Sequence, residues 1–301
     1  MKKLTGTGVA LVTPFLENGE LDIPSLRKLV RHVSQPGGVD FLVALGTTAE
    51  SVTLESAEQD EVIRTIMDEN AGKLPVVIGC GGNNTTKVIS QMKYLTSTYH
   101  PDGFLSVCPY YNKPTQEGLY LHFKAIAQAA TIPIILYNVP ARTSSNLLPA
   151  TANRIAKEFP QYVAVKEASG SVEQCMEIVA GKPATLDLLS GDDALTMPII
   201  AIGGKGVISV AANALPLEFS AISRLMLEGK LEAAKNMHYR IFNLMNLNFR
   251  EGNPAGIKAM LSVLGICGRT VRLPLAAASD ALRDEMKKSL ADAGIASLIP
   301  S

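Results

Sequence analysis

The sequence predicts a (β/α)8 TIM barrel followed by a C-terminal helical domain. Short apolar runs recur eight times in the 301-residue chain, and their starts lie about 20–35 residues apart, which suits one strand and one crossover helix. Most of the runs are nearly continuous stretches of valine, isoleucine and leucine, which are typical of parallel strands buried on both faces. After the eighth run only helical spacing continues.

The predicted barrel accounts for most of the chain. Because a barrel of this kind takes roughly 200–250 residues, we expect residues 1–224 to form the catalytic barrel and residues 225–301 to form the helical domain. An open doubly wound sheet is the alternative, but it more often has about five or six strands. The predicted strands cover residues 9–12, 41–45, 76–78, 104–107, 134–137, 163–165, 186–189 and 207–210.

Apolar residues three and four positions apart predict the helices between these strands. Clear examples are residues 24–33, with Asp22 as the candidate cap, and residues 53–70 and 116–130. In the tail the same spacing predicts helices over residues 231–245 and 275–286.

The composition excludes several classes of protein. The 28 Lys+Arg balance the 28 Asp+Glu, whereas nucleic-acid binding calls for a basic face. No apolar run approaches the roughly 18–20 residues of a membrane span, and no apolar stretch follows the charged N-terminus as in a signal peptide. The cysteines and histidines are scattered, so no disulfide framework or metal site is indicated. We therefore expect a cytoplasmic protein that binds neither nucleic acid, membrane nor metal.

A barrel places its chemistry at the C-terminal ends of its strands. Lys166 comes directly after the sixth apolar run, so we expect its amine to lie close to the apolar interior. Burial favours the neutral form of an amine, which attacks carbonyl carbons and forms Schiff bases. The alternative is a lysine that reaches water or pairs with Glu167. Other reactive groups are predicted at the same mouth of the barrel, and this favours the interpretation of Lys166 as a nucleophile.

The strand ends at the mouth carry hydroxyl groups and one arginine but no histidine. Tyr137 is therefore the candidate acid and base, although such a ring more often simply bonds the backbone. Thr47 and Thr48 precede a predicted helix, where they present groups to a carboxylate or act only as caps. Arg142 has no acidic neighbour in sequence, which suits capture of a substrate carboxylate, and a surface ion pair is the alternative.

Six motifs in register make the sequence resemble the dihydrodipicolinate synthase family of pyruvate-dependent class I aldolases. The resemblance covers essentially the whole chain. Any one of the motifs would be weak evidence, but the ordered set is highly specific. They are Gly46-Thr47-Thr48, residues 109–118, residues 137–143, Val165-Lys166-Glu167-Ala168, residues 189–193 and residues 206–210.

The resemblance implies a carbon–oxygen lyase that needs no cofactor beyond a covalent Schiff base between Lys166 and its substrate pyruvate. It implies that Thr48, Tyr137 and Tyr111 form a proton relay, with Tyr111 reaching into a neighbouring subunit. The family is usually a homotetramer, a dimer of dimers. Its reaction yields (4S)-4-hydroxy-2,3,4,5-tetrahydrodipicolinate, which commits carbon to diaminopimelate and lysine.

The resemblance also assigns the substrate-binding groups. Thr47 and Thr48 would bind the pyruvate carboxylate, and Arg142 would hold the carboxylate of the second substrate, L-aspartate 4-semialdehyde. Gly191 and Ile208 would line the pocket through their backbone. Lyases that cleave sialic acid or keto-sugars typically lack the arginine. A lyase of the N-acetylneuraminate type and a catalytically silent keto-acid-binding barrel remain the two alternatives.

A possible effector site for L-lysine departs from the family pattern. Ser51, Asn83 and Tyr110 match it, but Lys87 stands where sensitive enzymes carry glutamate, and Ser56 where many have histidine. A cation at position 87 would repel the ammonium groups of lysine. We therefore expect weak or absent inhibition by L-lysine.

Overall fold

The computed structural model describes residues 4–299; the charged N-terminal residues 1–3 and the last two residues of the tail lie outside the described part. Within it, eight parallel strands close into a barrel in chain order, and the last strand pairs with the first. The predicted fold class is confirmed. The strands are β1 (Gly6–Ala10), β2 (Phe41–Ala44), β3 (Val76–Gly79), β4 (Gly103–Val107), β5 (Ile134–Asn138), β6 (Tyr162–Glu167), β7 (Asp187–Ser190) and β8 (Gly206–Ser209).

Helices alternate with the strands, and three more form the tail. No helix within residues 4–299 is both long and apolar enough to cross a membrane. The barrel helices are α1 (Ile23–Val33), α2 (Ser56–Asn70), α3 (Thr85–Tyr99), α4 (Gln116–Ala129), α5 (Pro140–Thr143), α6 (Pro149–Glu158), α7 (Val172–Gly181), α8 (Thr196–Ala201) and α9 (Pro216–Leu227). The tail helices are α10 (Leu231–Arg250), α11 (Ala255–Val263) and α12 (Asp280–Asp292).

Two apolar clusters hold the molecule together. The first lies inside the barrel and includes Phe41, Ile135 and Ile208, so the interior is a packed core rather than a channel. The second lies between the strands and the helices, and it extends into the tail through Ile257 and Met286. The barrel and the tail therefore share one continuous outer core. The division expected after residue 224 falls within α9, and it stays a prediction.

The first strand begins earlier than the prediction of residues 9–12. A Cβ atom on Gly8 would lie 2.3 Å from the ring of Phe41, so only glycine lets this large ring pack beside β1. The N–H of Thr7 donates to Asp40 Oδ2 at 2.7 Å, which ties the start of β1 to the residue before β2. Glycine and threonine are not apolar, so a search for hydrophobic runs misses this half of the strand.

The helix predicted over residues 275–286 begins and ends later than expected, at Asp280 and Asp292. It begins at Asp280, because the Ser279 side chain caps it by accepting the N–H of Leu282 at 3.2 Å. Ala278 is buried and Leu275 partly exposed, although both precede the helix. The helical spacing of Leu275 and Ala278 therefore does not reflect a helix at these positions. By contrast, the predicted cap Asp22 does accept the N–H of Ser25, at 3.0 Å.

Candidate active site

Strands β5 and β6 bring Tyr137 and Lys166 side by side at the C-terminal mouth of the barrel. The two residues are directly paired in register, and Lys166 Nζ lies 4.3 Å from the centroid of the Tyr137 ring. Lys166 is only 5% exposed and Tyr137 only 6%. The amine is therefore buried against an aromatic ring, which is the environment that the sequence predicted for a nucleophilic lysine.

Glu167 does not neutralise the neighbouring Lys166, so the alternative of a lysine paired with this carboxylate is wrong. Its carboxylate accepts hydrogen bonds from Asn138 Nδ2 at 2.9 Å, from the N–H of Ser169 at 2.7 Å and from Gln174 Nε2 at 3.1 Å. Within residues 4–299 the Lys166 amine has no ion-pair partner. The buried lysine is thus left available for chemistry.

A cavity of about 250 Å³ opens beside this pair. Thr47, from the end of β2, lines it together with Tyr137 and Arg142, from the end of β5, so the structure brings predicted residues from two strand ends together. Lys166, Thr48, Gly191 and Ile208 are not among its lining residues. Its apolar wall includes Leu45, Leu105, Val107 and Val139. A small cavity with a few convergent polar groups is the usual form of a small-molecule site.

Thr48 is held by a residue that the sequence did not single out. It lies in a short 3-10 turn, Thr47–Ala49, which follows β2, and it is buried. Its Oγ1 accepts a hydrogen bond from Asn253 Nδ2 at 3.0 Å. Because the amide donates to this oxygen, the hydroxyl proton of Thr48 is left to donate elsewhere, as a proton relay requires. Asn253 lies 205 residues away in the chain, so no local pattern could have identified it.

Arg142 is exposed on the short helix α5, at the edge of the cavity. Its Nη2 donates to the carbonyl of Asn253 at 3.3 Å. Within the described residues Arg142 forms no salt bridge, so the surface ion pair considered as the alternative is absent there. The remaining guanidinium donors can therefore bind a carboxylate in the cavity.

Gly191 and Ile208 lie on the β7–β8 side of the mouth. The Gly191 N–H donates to the carbonyl of Glu167 at 2.7 Å, and a Cβ atom there would lie 2.5 Å from that of Ala168. Glycine is thus required for this close approach. Ile208 is buried in the barrel interior.

A buried carboxylate that the sequence did not identify fixes the chain just after Ile208. Asp193 accepts the N–H of Ala211 at 2.7 Å and that of Val210 at 3.2 Å. Burial raises the pKa of Asp193 to about 6, against the opposing hydrogen bonds from Ser209 and these two amides. At neutral pH the side chain is therefore ionised and accepts both amides.

The residues of the predicted effector site lie next to the same cavity. Ser51 and Tyr110 line it, and Asn83 Nδ2 donates to the carbonyl of Tyr110 at 3.2 Å. Lys87 is exposed in the first turn of α3, and Ser56 is exposed at the start of α2. In a single chain, the effector residues and the substrate residues therefore share one opening.

Tyr111 stands apart from the other predicted catalytic residues. It is 88% exposed, does not line the cavity, and has a left-handed backbone with φ of 73°. Its ring therefore makes little contact within its own chain.

Two cysteines lie near the mouth, and Cys80 is among the residues that line the cavity. Cys80 and Cys108 are both buried, and burial raises the pKa of the Cys80 thiol to about 12. At neutral pH this thiol carries almost no thiolate, the form that acts as a nucleophile. Within residues 4–299 no group of three or more histidine, cysteine or acidic side chains could hold a metal ion.

Known proteins resemble this chain in sequence and in architecture. Residues 3–293 match the model of the dihydrodipicolinate synthetase family. The chain is 48% identical over 286 residues to a 4-hydroxy-tetrahydrodipicolinate synthase of Flavobacterium psychrophilum, over 95% of this chain and 97% of that protein. Dihydrodipicolinate synthase structures from Aquifex aeolicus and Thermotoga maritima match with TM-scores of 0.92 and 0.93, at 40% and 38% identity, over 97% of this chain and 99% of theirs. The chain belongs to the dihydrodipicolinate synthetase family.

Proposed function

We propose that the chain condenses pyruvate with L-aspartate 4-semialdehyde to give (4S)-4-hydroxy-2,3,4,5-tetrahydrodipicolinate, a step of diaminopimelate and lysine biosynthesis. The enzyme is a Schiff-base-forming lyase, and the substrate itself supplies the covalent group in place of a cofactor. The observation that carries this proposal is the amine of the buried Lys166, which lies 4.3 Å from the ring centroid of Tyr137, a residue that lines a cavity of about 250 Å³.

The reaction begins when Lys166 Nζ attacks the keto carbon of pyruvate and water leaves, which forms an imine. Loss of a proton from the methyl group gives an enamine, whose carbon forms a bond to the aldehyde carbon of the second substrate. The amino group of that substrate then displaces Lys166, so the ring closes and the free amine is restored. Tyr137, Thr48 and Tyr111 carry the protons of these steps.

Two groups of residues bind the anionic parts of the substrates. Thr47 and Thr48 bind the pyruvate carboxylate, while Arg142 at the cavity edge binds that of the semialdehyde. Gly191 and Ile208 lie outside this cavity, on the β7–β8 side of the mouth, and we propose that they contact the bound keto acid there through their backbone. The support for these roles is that Thr47, Tyr137 and Arg142 line one cavity, with Thr48 in the adjoining turn.

We propose that the chain works as a homotetramer in the cytoplasm, and the exposed ring of Tyr111 supports its assembly with neighbouring subunits. Tyr111 is 88% exposed, and a large amphipathic ring of this exposure is the kind of surface that a neighbouring subunit covers. Tyr111 then enters the relay of that neighbour. Native mass spectrometry should find the mass of four chains, and a protein that stays monomeric at working concentration would contradict this part of the proposal.

The proposed reaction is tested by supplying the purified chain with both substrates and identifying the product by mass spectrometry and chiral chromatography. We expect the cyclised product only when both substrates are present. Cleavage of N-acetylneuraminate without formation of this product would instead favour the lyase alternative. Binding of pyruvate with no turnover of either substrate would favour the silent barrel.

L-Lysine should inhibit this enzyme weakly or not at all. Lys87 is exposed beside the effector residues and repels the ammonium groups of lysine. Steady-state rates across a lysine titration check this expectation, and half-maximal inhibition at sub-millimolar lysine would refute it. Lys87→Glu should increase the sensitivity to lysine, whereas Lys93→Glu, a charge reversal further along α3, should leave it unchanged.

A further inference from the structure

A buried ion pair joins the barrel to the C-terminal helical domain. Lys258 Nζ of α11 lies 2.5 Å from Glu50 Oε1, and the two side chains are 0% and 1% exposed. The ammonium also donates to the carbonyl of Thr270 at 2.9 Å, and Glu50 Oε2 accepts the backbone N–H of Arg272 at 2.9 Å. Each charged group therefore has a second hydrogen-bond partner besides the other, and both partners of Glu50 come from the tail.

Stability alone is a poor reason for such a pair. Removing two charges from water costs free energy that the attraction between them often only offsets, and well-packed apolar side chains commonly stabilise a protein as much or more. Burial lowers the pKa of Lys258, and the carboxylate of Glu50 opposes that shift. However, charged groups that are paired and hydrogen-bonded do fix the position of the backbone that carries them.

The backbone in question is the turn that carries Thr47 and Thr48. Glu50 directly follows this turn, and its N–H donates to the carbonyl of Thr47 at 3.2 Å. Its own backbone is left-handed, with φ of 54°, which is uncommon for a residue other than glycine. The carbonyl of Ala49 is held by the Thr13 hydroxyl at 2.8 Å. A displacement of the Glu50 side chain therefore displaces the turn.

A second link runs between the same two parts of the molecule. Asn253, just before α11, donates to Thr48 Oγ1 at 3.0 Å, and Lys258 lies in the first half of α11. The tail segment that contains Asn253 and Lys258 thus contacts the turn at the Thr48 hydroxyl and again at Glu50, the residue after the turn. We propose that Glu50 and Lys258 are positioning residues, whose ion pair lets the C-terminal helical domain hold Thr47 and Thr48 in their catalytic geometry. This inference rests on the proposed function.

Two neutral double variants separate positioning from folding. Glu50→Gln with Lys258→Met removes both charges and the contact between the two side chains, whereas Glu50→Gln with Lys258→Gln removes the charges but keeps a hydrogen bond between two amides. Because a displacement of about 1 Å at a site costs up to roughly 100-fold, we expect the first to lose roughly 10- to 100-fold in kcat. The second should recover most of that loss. Both should keep similar melting temperatures.

Glu50→Asp tests the same idea in a variant that keeps both charges. The shorter side chain draws the turn toward Lys258, so kcat should fall roughly tenfold and the KM for pyruvate should rise, with little change in melting temperature. Lys28→Met is the matched control. Lys28 joins α1 to the tail at the Gly265 carbonyl, 2.6 Å away, without touching the turn, and its loss should leave kcat unchanged.

The outcomes for the pair and for the reaction are distinguishable. A wild-type chain that forms no product counts against the proposed function. If the wild type is active and the variants Glu50→Gln with Lys258→Met and Glu50→Asp both keep the wild-type kcat and KM, the positioning role is overturned. An equal loss in Lys28→Met also overturns it, because the effect would then belong to docking of the tail in general. In every variant borohydride should still trap pyruvate on Lys166, since that amine is unaltered.

Discussion

Replacing Lys166 with methionine should lower kcat by roughly a thousandfold or more and abolish the trapping of pyruvate by borohydride. Methionine fills a similar volume beside Tyr137 but has no amine to form the imine, so the reaction loses its covalent path. The fold should survive, because an apolar side chain replaces a buried amine that has no ion-pair partner within residues 4–299. Steady-state kinetics and circular dichroism measure the two effects.

Lys205→Met is the matched control for this substitution. Lys205 is exposed and immediately precedes β8, so it lies at the opposite end of the barrel from the mouth. Its loss should leave the rate within about twofold of wild type, as is usual for a surface change. A Lys166→Met enzyme that retained a tenth of wild-type turnover would remove Lys166 from the central role.

Replacing Tyr137 with phenylalanine should keep the fold and lower kcat by roughly 100- to 10,000-fold. The ring that packs 4.3 Å from Lys166 Nζ is retained, and only the hydroxyl that moves protons is lost. Imine formation should slow, yet pyruvate should still be trapped on Lys166 after long incubation. Single-turnover kinetics with borohydride quenching separate the slowed steps.

Tyr99→Phe provides the comparison for the lost hydroxyl. This residue ends α3 and donates to Asp60 Oδ1 at 2.8 Å, away from the mouth. We expect its loss to change stability slightly and turnover hardly at all. Near-normal activity of Tyr137→Phe would exclude this tyrosine from the proton relay.

The barrel was predictable because its strands are continuous apolar runs of regular spacing. Buried parallel strands need apolar side chains on both faces, and that requirement is visible in any short window of sequence. The prediction was wrong where a strand or helix end depends on a distant or polar contact. Gly8 in β1 makes room for Phe41, and Ser279 caps α12 later than the apolar spacing suggests.

Most of the predicted site residues lie at the end of a strand or just after it, although Ile208 lies within β8 and Lys87 in α3. Parallel strand order then brings Thr47, Tyr137 and Arg142 to one cavity. Asn253 and Lys258 could not be found in this way, because they reach the mouth from the tail, 205 and 208 residues from their partners. Their contacts depend on how the tail packs, and no local pattern encodes that packing.

The zero net charge of the chain is an overall property, and it says little about the charge at the mouth of the barrel. It argues against nucleic acid as the main partner, yet it gives no indication of substrates that carry carboxylates. Arg142 provides a guanidinium and the buried Lys166 an amine at a single mouth, and their position rather than the overall charge suits them to a keto acid and a second anionic substrate.

The most direct test of the account is to locate the pyruvate adduct in the wild-type chain. The protein is incubated with pyruvate, reduced with borohydride, digested and mapped by mass spectrometry, with a sample lacking pyruvate as the control. We predict one modified residue, Lys166, in the peptide that also contains Glu167. An unmodified Lys166, or an adduct confined to another lysine, would contradict the central claim.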